Sequence, residues 1–199
     1  MSFSMDDGFD IRRAAQVAAF FTVEAGGRIN ASILTKLIYL ADREFAARYD
    51  EPLLGDVLVS TDDGPADAMT MDLIRGVAPA SKDWDEFMAP RVGNEVSAVG
   101  YPLPEDLDEL SVADQDVLSY VWRRFGNLTA HQIRDFVCQF CPEWERPDGA
   151  SQVIQYDHFF SSLGKEDAEG LAAAFAETKA IERTFRRHAD AVGDLVRAV

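Results

Sequence analysis

Apolar residues recur every three or four positions through most of the chain, and the breaks in that rhythm separate its helices. Asp10 stands as an N-cap ahead of Ala14, Val17, Ala18 and Phe21, which share one face, and Gly26-Gly27 ends the run. A second helix is predicted from about Asn30, with Leu34, Leu37, Ile38, Ala41 and Phe45 as its buried stripe; Asp50-Glu51-Pro52 breaks it. Residues 55–60 are short, apolar and β-branched, and predict a strand. Asp63-Gly64-Pro65 predicts a turn, with Pro65 suited to the first position of a third helix running to about Arg75. Residues 78–90 read as irregular, and 91–99 as a second strand through Val92, Val96 and Val99. Residues 101–110, with Pro102 and Pro104, have the character of a linker.

The second half is more plainly helical. Ser111 with Asp114, and Thr129 with Gln132, have the spacing of capping boxes. Val117, Leu118, Val121, Trp122 and Phe125 follow the first, closed by Gly126. Ile133, Phe136, Val137 and Phe140 follow the second, stopped by Pro142. A short helix is expected over 157–163. A long one is expected from about Lys165 onward, where Leu171, Phe175, Thr178, Ile181, Phe185, Val192 and Leu195 recur near seven-residue spacing, so that one side is free to pair with something else. The pattern predicts an α+β fold, predominantly α-helical, with helices around a small antiparallel β element in the first half. It divides into a compact unit over 10–165 and a long C-terminal helix, 166–199, packing on it.

Composition narrows the function. Across 199 residues, 35 acidic and 19 basic side chains give a formal net charge of -16. Such a surface repels nucleic-acid backbones and anionic membranes, and steers a basic protein partner inward; plain solubility is the alternative reading. No stretch has the length of a membrane span, and the acidic start, 1–10, lacks the character of a signal sequence, so the expected location is the cytoplasm.

Catalytic patterns are scarce. There is no nucleophile elbow, phosphate loop or dinucleotide fingerprint. Cys138 and Cys141 form a CxxC pair, which reads as a redox dithiol, as half of a zinc site, or as two small apolar residues packed near a helix end. The only histidines available to complete a metal site are His131, His158 and His188, and no cofactor is expected. Adjacent carboxylates at Asp6-Asp7, Asp62-Asp63 and Glu105-Asp106 read as solvated turn charge. Asp42 and Arg43 lie off the apolar stripe beside Phe45 and Tyr49, and read either as an internal ion-pair network or as a contact surface.

The run KLIYLADREFAARYDEPLLGDVLVSTDDGP, residues 36–65, resembles the Panacea domain of SocA-like antitoxins. The resemblance is carried by Lys36, Leu37, Tyr39, Ala41, Asp42, Arg43, Tyr49, Pro52, Gly55, Asp56, Gly64 and Pro65. The later segment LSVADQDVLSYVWRRFGNLTAHQIRDF is similar to the family's second block, and Trp144 falls where the family often has a tryptophan. Two departures stand out: Ala66 and Asp67 follow Gly-Pro where the family commonly has Val, and 137–140 replace a Thr-His pair. The resemblance implies a non-catalytic antitoxin. Such a protein binds a cognate protein toxin and neutralises it by sequestration or by delivery to a bacterial protease. Asp42, Arg43, Tyr49, Asp62, Asp63, Gly64 and Pro65 are the candidate partner contacts; Lys36, Tyr39, Gly55, Asp56 and Trp144 are the candidate structural positions of the motif. The rival readings are a zinc or thiol enzyme using the CxxC pair, and a structural or regulatory adaptor that dimerises through the last helix.

Overall fold

The computed structural model describes residues 9–78 and 81–197, with residues 186–197 as backbone alone. Asp6, Asp7, and the side chains of His188, Val192 and Leu195 therefore lie outside what is described. The chain is 56% helical, with eight α-helices and two three-stranded antiparallel sheets among the described residues, an α+β fold that is mostly helical. No helix is long and apolar enough to cross a membrane among these residues.

Helix α1 (Ile11–Glu24) starts where Asp10 accepts from the Arg13 amide, and helix α2 (Ala31–Tyr49) starts where Asn30 caps Ser32 and Ile33. Between them lies β1 (Arg28–Asn30), a strand of three residues, too short to register in the hydrophobic pattern. Helix α2 is the axis of the molecule. Leu34, Leu37, Ile38, Tyr39 and Ala41 are at most 1% exposed, because α2 packs against α1 and, beyond them in the chain, against α3 (Ala68–Arg75), α5 (Val112–Phe125) and α6 (Ala130–Phe140). Both predicted capping boxes, Ser111–Asp114 and Thr129–Gln132, form at the starts of α5 and α6.

The β structure differs from expectation in three ways. The strand expected over 55–60 is β2 (Leu58–Thr61), and Pro65 does not begin a helix but lies in β3 (Gly64–Asp67), paired with Ser60. The hairpin overrides the local preference of proline for a helix start: α3 begins only at Ala68, and its first amides, Met69 and Thr70, are taken by the Asp56 carboxylate. Second, the strand expected over 91–99 is a hairpin, β4 (Met88–Val92) and β5 (Glu95–Ala98), preceded by the short α4 (Lys82–Asp85) within the stretch expected to be irregular. Gly93, at φ +61°, makes its turn, and of the three valines only Val96 is buried. Third, the β structure is not confined to the first half: β6 (Gln152–Val153) adds to the far edge of β2, giving sheets β1–β5–β4 and β3–β2–β6.

The expected linker, 101–110, is pinned rather than loose. Leu107 and Leu110 are buried, and Gln16 grips it from α1, donating to Asp108 and accepting from the Glu109 amide. Helix α7 (Tyr156–Ser162) buries Phe159 and Phe160, and the long α8 (Ala168–Arg197) packs on α7 through its first turns. Farther along α8, Ile181 and Phe185 are 51% and 72% exposed.

Candidate functional site

Lys36, Tyr39 and Arg43 are spaced three and four apart on α2, so they line one face of the helix. That face looks onto the β2–β3 hairpin and the end of α6, and Gly64 and Pro65 of the motif meet it there. Lys36 is 5% exposed; its Nζ donates to the Pro65 carbonyl at 2.8 Å. Burial pushes its pKa down to about 8, against the pull of nearby Asp63 and Asp67. Gly64 sits at φ +104°, and a Cβ there would stand 2.8 Å from Val137 Cγ2 and 3.3 Å from Cys138 Sγ. Glycine is needed twice over: for the backbone conformation, and to let the turn close against α6.

One turn along α2, Tyr39 Oη donates to Glu143 Oε1 at 2.6 Å, and Arg43 Nε donates to the same oxygen at 2.8 Å. The Glu143 side chain is fully buried and that of Arg43 is a quarter exposed, so the ion pair lies at the edge of the core. Trp144, half-buried, donates its indole N–H to the Thr61 carbonyl at 2.9 Å, and the Glu145 amide donates to Ser60 Oγ. Residues 143–145 therefore clamp the outer strand of the hairpin to α2.

On the neighbouring face three carboxyl groups are sealed from solvent. Asp56 accepts from the amides of Val57, Met69 and Thr70 and from the Thr70 hydroxyl, which makes it the true cap of α3. Asp42 Oδ1 accepts from the Leu54 amide at 2.8 Å, while its Oδ2 and both oxygens of Asp67 have no conventional donor. Burial raises the pKa of all three, that of Asp42 to about 6 and that of Asp67 well above the ordinary carboxylate range, with Asp42 close to Asp67 adding to the rise. A proton on Asp67, donated to Asp42, pairs two of these three orphaned oxygens. Gly55, at φ +61°, leads into this cluster, and a side chain there would strike Phe175 and Lys179 of α8.

The candidate partner contacts therefore divide. Asp42, Gly64 and Pro65 are buried, Arg43 is partly so, and Tyr49, Asp62 and Asp63 are exposed. The exposed members do not form one patch. Lys36, which holds the hairpin, and Tyr49 stand 13 positions apart on α2, about 20 Å at 1.5 Å per residue. Two residues of the site were not read as such in the sequence. Glu143 is flanked by Pro142 and Trp144, and Asp67 was visible only as a departure from the motif; a charged residue ordinarily predicts exposure.

The CxxC pair is poorly placed for thiol chemistry. Cys141 is buried and its thiol is pushed up to about 12; burial also raises that of Cys138. Among the described residues, no group of three or more His, Cys, Asp or Glu side chains is placed to hold a metal.

Comparison with known families agrees with this geometry. The chain matches the family model of antitoxin SocA-like proteins, Panacea domain, over residues 34–145. That span is more than half of the chain and contains all but the last-helix packing of the site just described; the chain belongs to this family. No curated protein and no solved structure matches it.

Proposed function

We propose that this chain is the antitoxin of a toxin–antitoxin pair, a non-catalytic cytoplasmic protein that binds and neutralises a cognate protein toxin. The family match over residues 34–145 carries the reading. Two features support it. The motif residues are consumed in holding the scaffold together rather than converging on an open cleft with a nucleophile and base. The net charge of -16 suits fast association with a basic partner. Candidate docking groups are the exposed ones, Tyr49 at the end of α2, the Asp62-Asp63 turn and the Ile181–Phe185 side of α8, together with partly buried Arg43; aromatic anchors among them can give affinity and the acidic turn can give on-rate. Neutralisation proceeds by sequestration, or by delivery of the toxin to a protease.

Co-expression with the products of neighbouring genes tests the proposal. The expected result is one neighbour that arrests growth alone, is rescued by this chain and co-elutes with it. If no neighbour is toxic or bound, the reading is wrong. A pulse-chase of the toxin separates the two modes, since delivery shortens the toxin's lifetime and sequestration leaves it unchanged or longer.

A further inference from the structure

A cavity of about 180 Å³ opens at the N-terminal end of α2, lined by Ser32, Thr35, Lys36, Asp63, Arg75 and Arg91 among others. Three cations from three elements meet there in a chain that carries 35 acidic residues against 19 basic ones. Arg75 comes from the last turn of α3, Arg91 from β4, and Lys36 forms a buried wall. Neither arginine forms an ion pair among the described residues. Arg91 is anchored instead to its own turn, donating to the Gly93 carbonyl at 2.6 Å and to Asn94 Oδ1 at 3.0 Å. Asp63 is the single carboxylate lining the cavity, so the walls carry two more positive charges than negative: three minus one. The first turn of α2 contains no acidic residue, and its dipole adds partial positive charge on the same side. Burial lowers the pKa of Lys36, Asp63 and Asp67 pull it back up, and Arg75 adds a smaller lowering, so the cations of this cavity sense one another.

We propose that this cavity binds a phosphate-class dianion, the phosphoryl end of a small phosphomonoester. The excess of two positive charges matches a dianion, and guanidinium forks suit tetrahedral oxyanions. The volume lies below the roughly 300 Å³ at which sites for drug-sized ligands begin, so the enclosed part takes the phosphoryl group and leaves the remainder of the ligand outside. The proposal does not rest on toxin binding, and Asp63 is the one residue the cavity shares with the candidate docking groups.

The test is a titration of the full chain with methyl phosphate, inorganic phosphate and acetate at constant ionic strength, followed by calorimetry and by amide NMR shifts. Methyl phosphate is expected to bind saturably, to move the amides of Ser32, Thr35 and Asn94, and to bind at least tenfold more tightly than acetate. Arg75→Gln and Arg91→Gln, both at exposed positions, should each weaken it at least fivefold with an unchanged melting temperature. Arg123→Gln, on the exposed side of α5, should leave it intact. Absence of saturable binding, equal affinity for acetate, or full affinity in both arginine variants would overturn the proposal. Inorganic phosphate binding more tightly than the ester would overturn the ester in favour of the free ion.

Discussion

The buried pair Asp42–Asp67 makes a quantitative prediction about how stability responds to pH. Both carboxyls are inaccessible to solvent, and Asp67 keeps its proton in the fold far above its ordinary pKa of 3.8. Between pH 4 and the folded pKa the unfolded chain releases that proton while the folded chain retains it. The unfolded state then binds one proton fewer, and stability falls by about 1.4 kcal/mol for each pH unit. Each pH unit of that interval removes an appreciable part of the ~5–15 kcal/mol that holds a domain together. Replacing Asp67 by Asn keeps a hydrogen-bond donor facing Asp42 and removes the titration. The variant's offset at pH 4 depends on how well an amide packs, but its slope does not. Urea denaturation of both proteins at half-unit intervals from pH 4 to pH 8 is the assay. The difference in unfolding free energy, variant minus wild type, should climb with pH from pH 4 upward, by about 1.4 kcal/mol per pH unit where the wild-type fold alone keeps the proton. Asp42, raised by burial to about 6, keeps its own proton in the fold over the lower part of this window and adds to the fall in stability as pH rises towards 6. Parallel curves would refute the shared proton, and so would a difference that falls with pH.

Three further outcomes test the scaffold and the surface. Glu143→Ala strands the Tyr39 hydroxyl and the Arg43 guanidinium and should cost about 3 kcal/mol, discounted for the partial exposure of Arg43. In a chain of this size that is roughly a 6–12 °C fall in melting temperature; Glu143→Gln, which keeps an acceptor, should lose less than half as much. Gly64→Ala forces a side chain into Val137 at an unfavourable φ and should cost about 2–4 kcal/mol by chemical denaturation; an unchanged midpoint would show that the turn has room. Tyr49→Ala and Phe185→Asp, both at exposed positions, should leave the melting temperature within about 2 °C of wild type, while, under the proposed function, at least one abolishes the growth rescue read in the co-expression test.

Much of the helical framework was readable because its signals are local. The Thr129 and Ser111 caps, and the stripe of α2, depend on residues within a few positions of one another. What escaped depends on distant partners. Pro65 has the local chemistry of a helix start, yet pairing with Ser60 and the bond from Lys36 place it in a strand. Strand β6 has two exposed residues and exists only because the edge of β2 was unfilled. Asp42 and Arg43 were equivocal off their stripe, and the structure separates them: Asp42 turns inward to Leu54 and Asp67, while Arg43 reaches across 100 positions to Glu143. No sequence period could have identified Glu143 or Asp67, because a carboxylate is buried by what surrounds it in space.

The placement of the motif bears on what family membership can say about specificity. Lys36, Tyr39, Asp42, Arg43, Asp56, Gly64 and Glu143 all lie within residues 34–145, and the polar side chains among them each bond to one another or to neighbouring backbone. A buried polar network of this kind tolerates little change, since removing one partner leaves another buried and unpaired. Contact surfaces have the opposite requirement: they must vary to follow a partner. Helix α8, Ala168–Arg197, lies wholly outside the matched residues, yet it leans on the scaffold through Gly55, where Phe175 and Lys179 occupy the space a side chain would need. The scaffold thus fixes where α8 begins its course, and leaves the side bearing Ile181 and Phe185 exposed beyond it.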